Sequence, residues 1–229
     1  MNKIILDNRL LAAAKYVRPR KIVADIGTDH AYLPVYLLQN NISPKALACD
    51  INELPLESAK RTVEQYELTD FIEVRLSNGL INVEPQECDD IVICGMGGEL
   101  IATILDNSKW VQNQRYNLIL NPMTKPEKLR KYLFDNGFDI ISETASESHK
   151  KHYTVMNVKF TNLGIKYDTK LLFFGRLLDN NDEQSRKYIE MTAKRMLKKA
   201  NGLKINNADE ITANELISAV HSVLGENFQ

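Results

Sequence analysis

Residues 21–34 read Lys21-Ile22-Val23-Ala24-Asp25-Ile26-Gly27-Thr28-Asp29-His30-Ala31-Tyr32-Leu33-Pro34. A short β-branched run enters a turn that needs glycine, and a helix pattern follows. Such a strand–turn–helix aims a helix N-terminus and bare backbone at a ligand. A dinucleotide-binding turn reads Gly-x-Gly-x-x-Gly, but here Asp29 stands at the second glycine position and no third glycine follows. A carboxylate there repels a pyrophosphate and suits a cation or a hydrogen-bond donor. The turn therefore points to a nucleoside ligand without phosphates. S-adenosylmethionine, which carries ammonium and sulfonium charges, meets that description.

Outward from this turn, strand and helix signals alternate. Strands are expected at 21–26, 45–50, 72–76, 90–94, 117–121, 138–144 and 153–160, with helices at 6–17, 32–39, 55–66, 99–107 and 126–136. Alternation of this kind predicts an α/β fold of parallel strands with helices on both faces. The last two strands are joined by residues 146–152 without a helix, so they should form an antiparallel hairpin at one edge of a seven-stranded, Rossmann-like methyltransferase sheet. Beyond residue 160 the pattern turns helical, at 169–178, 182–203 and 209–224. Ile189, Met196 and Leu203, joined by Thr192 and Leu197, should face Ile211, Leu216, Ile217, Val220 and Leu224 in a coiled-coil-like α-helical hairpin. Two domains are expected, 1–160 and 161–229, the second leaning on the first.

Composition is that of an ordinary folded protein, 44% hydrophobic and 26% charged, with a formal net charge of -1. The total neither favours nor excludes nucleic acid. Cys49, Cys88 and Cys94 show no Cys-x-x-Cys pairing and read as buried free thiols. No metal cluster, signal core or membrane-length apolar run is visible, and a cytoplasmic location is expected.

Ligands of parallel α/β sheets bind at the carboxyl ends of the strands. At the first end Gly27 lets backbone approach a ligand, the amides after it could meet a carboxylate or ribose, and Asp29 could accept from an ammonium group or cap the next helix. His30 reads as a packing or a chemical residue. Asp50, ending the second strand before Ile51, lies where an acid holds ribose hydroxyls, an interaction worth about 1.5–3 kcal/mol. Asn78-Gly79 could hold an adenine edge or simply turn the chain. Gly95-Met96-Gly97-Gly98 suggests backbone close to two ligands. Asn121-Pro122-Met123 offers an amide beside a proline-fixed carbonyl, suited to an amino group next to a ring nitrogen, or merely ends a strand.

The run from Asp25 to Pro34, Gly95-Met96-Gly97-Gly98 and Asn121-Pro122, with a helical hairpin behind them, resemble the bacterial tRNA (adenine-22-N1)-methyltransferase family. The resemblance implies S-adenosylmethionine as donor, S-adenosylhomocysteine as product, tRNA as acceptor and a C-terminal domain that helps grip tRNA. Members often carry Gln-Pro where this chain has Asn121-Pro122. On this reading Asp29, Asn121 and Pro122 serve the transfer, and Asp25, Gly27, Thr28, His30, Asp50, Ile51, Asn78, Gly79 and Gly95 serve the cofactor. Arg9, Met96, Gly97, Gly98, Met123, Lys150, Lys194 and Lys198 would meet the substrate. No obligatory protein partner is expected.

Three further basic groups are candidates for phosphate. They are Arg186, Lys187, Lys194, Arg195, Lys198, Lys199 and Lys204; Arg9, Arg18, Arg20 and Lys21; and Lys125, Lys128, Arg130 and Lys131. His149-Lys150-Lys151-His152 at the hairpin is another. The alternatives are a non-catalytic RNA-binding protein with a degenerate pocket, and a methyltransferase acting on adenine N6 or on a small molecule. N6 enzymes follow Asn/Asp-Pro-Pro with a stacking aromatic, which Met123-Thr124 does not supply. A small-molecule enzyme should survive deletion of 161–229.

Overall fold

Parallel strands, each needing a crossover, and one hairpin account for the sheet. The computed structural model describes residues 3–206 and 208–228. Its seven strands are β1 (Val23–Ile26), β2 (Ala46–Asp50), β3 (Ile72–Leu76), β4 (Asp90–Gly97), β5 (Asn117–Thr124), β6 (Phe138–Ser148) and β7 (Lys151–Phe160). They lie in the order β3-β2-β1-β4-β5-β7-β6, parallel from β3 to β5 and antiparallel for the last two pairs. The Rossmann-like sheet with its antiparallel edge hairpin is as expected.

Helices α1 (Asn8–Tyr16), α2 (Tyr32–Gln39) and α3 (Glu53–Gln65) cover one face. Ala13, Leu33, Leu37, Ala59 and Val63 there bury against Val23, Ala48 and Val92. Helices α4 (Gly98–Asp106) and α5 (Pro126–Asp135) cover the other, with Ile101, Leu105, Leu129 and Leu133 against Ala24, Ile91 and Leu118. The three thiols are free and buried.

Two boundaries differ from expectation, and both bear on the site. Strands β4 and β5 continue past Cys94 and Asn121, pairing Met96 with Pro122 and Gly97 with Thr124. The register shifts between Cys94 and Met96, where Gly95 takes φ +85°. A bulge at glycine lets the ladder resume and tolerates the proline opposite. The segment 146–152 is not an open loop either: β6 and β7 pair as far as Ser148 with Lys151, leaving His149 and Lys150 as a two-residue turn at φ +50° and +60°. Two successive left-handed residues are the geometry that matches strand twist.

The C-terminal segment adds α6 (Thr169–Phe174), a 3₁₀ turn (Gly175–Asp179), α7 (Glu183–Ile205) and α8 (Glu210–Leu224). Tyr188, Ile189, Ala193, Met196 and Ala200 bury with Ala213, Leu216, Ala219 and Val220, as the hairpin reading requires. Ile211 is an exception at 75% exposed. It precedes Ala213 by two residues, about 200° around the helix, and so lies off the buried stripe.

The helical segment is anchored to the sheet. Ala145 of β6 packs in its core, while Tyr167, Leu171 and Leu172 pack on the core beneath α5. Arg130 and Glu143 form an ion pair at 3.0 Å with both side chains fully buried. Arg130 also donates to the Leu172 and Phe173 carbonyls, and Glu143 accepts from the Arg176 amide. Gly175 (φ +63°) lies against the Glu143 carboxylate, where a Cβ would collide. Arg130 is therefore no phosphate ligand, because its charge is spent inside the protein.

Candidate functional site

At the carboxyl ends of β1, β2 and β4, closed over by the start of α1, lies a cleft of about 700 Å³. That is within the size range of small-ligand sites. It brings together Asp25, Gly27, Thr28, Asp29, His30, Asp50, Ile51 and Gly95, with Arg9, Met96 and Met123 from the expected substrate set.

The turn after β1 is built by backbone that few residues tolerate. Gly27 has φ +79°, and Asp29 and Ala31 are left-handed at +52° and +54°. Left-handed non-glycine residues are uncommon and cluster at functional turns. The Gly27 and Thr28 amides both donate to the Cys49 carbonyl, at 2.8 and 2.9 Å, so they are not the amides that meet a ligand. Helix α2 starts at Ala31 with no side-chain cap, which removes the capping role from Asp29. The Asp29 carboxylate is instead largely exposed, 3.5 Å from the His30 ring, which stacks on Tyr32. His30 thereby has a positioning contact on each side.

Asp25 lies deepest. It is 4% exposed and accepts from the Thr28 hydroxyl at 2.7 Å. Burial pushes its carboxyl up to about 6; Thr28 opposes the shift, nearby Asp50 adds to it, and Arg9 opposes it. Asp50 ends β2 and accepts from the Asn52 amide at 2.9 Å. Burial likewise pushes the Cys94 thiol well up.

Among the described residues, Arg9, from the first turn of α1, is the one lysine or arginine in the cleft's lining. Its Nη1 donates to the Asn121 side-chain Oδ1 at 3.1 Å and lies 3.9 Å from the Met123 sulfur, while Nη2 is 3.5 Å from Asp7. Asp7 caps α1 through the Leu10 amide and accepts from the Ser148 hydroxyl, which ties the hairpin tip to the cleft mouth.

Several expected site residues lie elsewhere. Asn121 is 0% exposed and both ends of its amide are engaged, the nitrogen donating to the Thr154 carbonyl at 2.8 Å. It has no free edge with which to read a base. Pro122 is buried in the β4–β5 ladder beside it. Gly97 and Gly98 are explained by packing: a Cβ would stand 3.1 Å from the Thr124 hydroxyl at the first and 2.5 Å from the Lys125 carbonyl at the second. Gly79 (φ +60°) packs on Ile104, where a Cβ would come within 2.9 Å, and exposed Asn78 is outside the cleft lining. Lys150 is exposed at the hairpin tip, and Lys194 and Lys198 are exposed on α7.

The basic group around Arg9 and Arg18 does not form a patch. Arg18 donates to Asp90, at the opposite end of β4, through both Nε and its amide at 2.7 Å, and Lys21 faces Asp89 at 3.9 Å. Lys125 and Lys131 pair with Glu99 and Asp135. The cations of α7 are exposed too; Lys187 pairs with Glu183 at 2.7 Å and Arg195 donates to the Thr192 hydroxyl.

Sequence reasoning did not place Ile5, Leu6, Asp7 and Leu10 in the cleft. Leu6 and Leu10 were legible only as a helix's buried face, and nothing local tells that this helix also roofs a site. Among the described residues no cluster of His, Cys, Asp and Glu could hold a metal, and no helix is long and apolar enough to cross a membrane.

A family model described as a methyltransferase domain matches residues 6–156. A curated tRNA (adenine(22)-N(1))-methyltransferase of Bacillus subtilis is 37% identical over 178 residues, 78% of this chain and 75% of that protein. This chain belongs to the tRNA (adenine-22-N1)-methyltransferase family. The crystal structure of the B. subtilis m1A22 tRNA methyltransferase matches with a TM-score of 0.82 at 29% identity, covering 96% of this chain and 97% of that one. The M. capricolum family member, solved with its cofactor product S-adenosylhomocysteine, matches at 0.79 and 31%, covering 95% and 99%.

Proposed function

We propose that this chain transfers the methyl group of S-adenosylmethionine to N1 of adenine 22 in tRNA, releasing S-adenosylhomocysteine. The observation that carries it is the phosphate-averse cleft at the strand ends, with Asp25, Asp29 and Asp50 around the Gly27 turn, in a chain 37% identical to a tRNA (adenine(22)-N(1))-methyltransferase. Three carboxylates suit a ligand whose amino-acid end and sulfur are cationic, and Asp50 stands where ribose hydroxyls would be held. When bound, S-adenosylmethionine supplies an electrophilic methyl on a positive sulfur.

Adenine N1 is an unprotonated in-plane nucleophile near neutral pH, so no base is required. Its lone pair forms the new N–C bond while the S–C pair stays on sulfur. The protein's task is placement, which contributes roughly 7–11 kcal/mol in well-oriented reactions. Asp29 and Gly95 line the place of transfer, and the Asp29 carboxylate favours the positive charge that develops on the ring. Met96 and Met123 flank the base, and Thr28, His30 and Ile51 complete the cofactor's surroundings.

The segment 161–229 serves as the tRNA-binding domain. Exposed Lys194 and Lys198 on α7, with Lys150 at the hairpin tip, support that reading through their freedom to meet phosphate. The target base must be turned out of its stack. A tRNA substrate implies work in the cytoplasm. The test is incubation with unmodified tRNA and methyl-labelled S-adenosylmethionine, then mapping of the product. A reverse-transcription stop at adenine 22 is expected; label at N6, or none in tRNA, overturns the proposal.

A further inference from the structure

Strand β6 is an outer strand of the sheet, so one side of its backbone has no partner strand. By strand alternation the side chains of Thr144, Ser146 and Ser148 share one face. The outer two are bridged to α1 and its cap, Thr144 with the Tyr16 hydroxyl at 2.6 Å and Ser148 with Asp7 at 3.1 Å. Ser146, between them, is 5% exposed, and its hydroxyl has no hydrogen-bond partner among the described residues. The Oε1 of Gln184, in the first turn of α7, is likewise buried and unpartnered. Both residues line a groove of about 770 Å³ between α1, β6 and the start of α7. Buried polar atoms are nearly always paired, and an unpaired one opposes folding. Two of them in one groove point to a ligand that pairs them.

The open edge of β6 has a gap at the same place. Asn8 donates to the Glu147 carbonyl at 3.1 Å, and Asn180 donates to the Glu143 carbonyl at 2.9 Å. Ala145 stands between those two, with its amide and carbonyl facing outward by the same alternation, and lines the groove. No side chain among the described residues covers it as Asn8 and Asn180 cover its neighbours. One open residue is too short for an added peptide strand, but it offers a donor and an acceptor to a planar base. Leu11 and Ala12 give the groove an apolar wall. Its charges do not suit a phosphate, since Asp7 and Glu147 oppose Lys15 and His149. Asp7 lines both this groove and the cleft at the strand ends, so their occupants lie side by side. We propose that the groove holds a nucleobase of the tRNA that flanks the target adenine, its polar edge met by Ser146, Gln184 and the Ala145 backbone. This inference rests on the functional reading above and adds a second base subsite to it. Contacts with flanking nucleotides are how base-modifying enzymes choose sequence context.

Steady-state methylation of unmodified tRNA by the full chain tests the proposal. Ser146→Ala combined with Gln184→Leu should raise KM for tRNA roughly ten- to a hundredfold, the range for one lost base contact, with kcat changed far less. Melting temperature and S-adenosylhomocysteine affinity should stay at wild-type values, because neither atom has a partner in the fold. A tRNA made abasic on one side or the other of the target adenine should show the same loss with the wild type. On that tRNA the double variant should lose nothing further. Unchanged KM for intact tRNA overturns the proposal and leaves the edge of β6 to a peptide partner. A further loss on both abasic tRNAs overturns it too, because the two side chains then meet another part of the RNA. A fall in melting temperature that accompanies the loss assigns both residues to the fold and also overturns it. Failure of the wild type to methylate tRNA overturns the functional reading as well, whereas methylation by the double variant at wild-type KM overturns only the inference.

Discussion

Asp25 is held in a state its side chain resists. With its carboxyl pushed up to about 6 by burial, the folded protein binds a proton more readily than the unfolded chain does. Stability contributed by this group is therefore present below its unfolded value near 4 and lost as pH rises toward 6, on the order of 3 kcal/mol in all. Melts of wild type against Asp25→Asn, between pH 4 and 7, should show a fall in the wild type that the variant lacks. Asp29 separates shape from charge. Asparagine tolerates the left-handed backbone as well as aspartate does, so Asp29→Asn should keep the melting temperature within a degree or two while kcat for tRNA methylation falls roughly tenfold or more. Unchanged kcat would take Asp29 out of the transfer step. At this scale the sequence showed that acids gather at strand ends. It could not show which polar groups were already taken, as with the amide of Asn121 and the amides of Gly27 and Thr28.

Between elements, the Arg130–Glu143 pair joins α5 to β6 and to the start of the helical segment. Removing one partner leaves the other charged and buried. Arg130→Met should therefore cost about 3–5 kcal/mol in urea unfolding, whereas replacing both by apolar residues should recover much of it. From sequence, Arg130 looked like one more cation beside Lys128 and Lys131, because helical spacing does not reveal a carboxylate from another strand. The strands were readable where β-branched runs met turn residues, as in 72–76. They were cut short at Cys94 and Asn121, since glycine and proline ordinarily end a strand. Here a bulge lets the ladder continue past both.

Across the molecule, the helical segment is not an independent attachment. Tyr167, Leu171 and Leu172 cover the sheet domain's core, and Arg130 depends on their neighbours. Truncation at residue 160 should abolish the cooperative thermal transition, so loss of activity on deleting 161–229 would not distinguish a tRNA enzyme from a small-molecule one. Charge reversal is the cleaner probe. Lys194→Glu with Lys198→Glu should weaken tRNA binding and flatten its salt dependence by about one to two in log–log slope, with S-adenosylhomocysteine binding and melting temperature unmoved. The strand order has a different consequence. Because β7 lies between β5 and β6, the last strand synthesised is an inner one. Until residues 151–160 leave the ribosome, β5 presents an open, apolar flank that a neighbouring nascent chain can zip onto. Slow, cool translation should accordingly yield more dispersed protein than rapid overproduction.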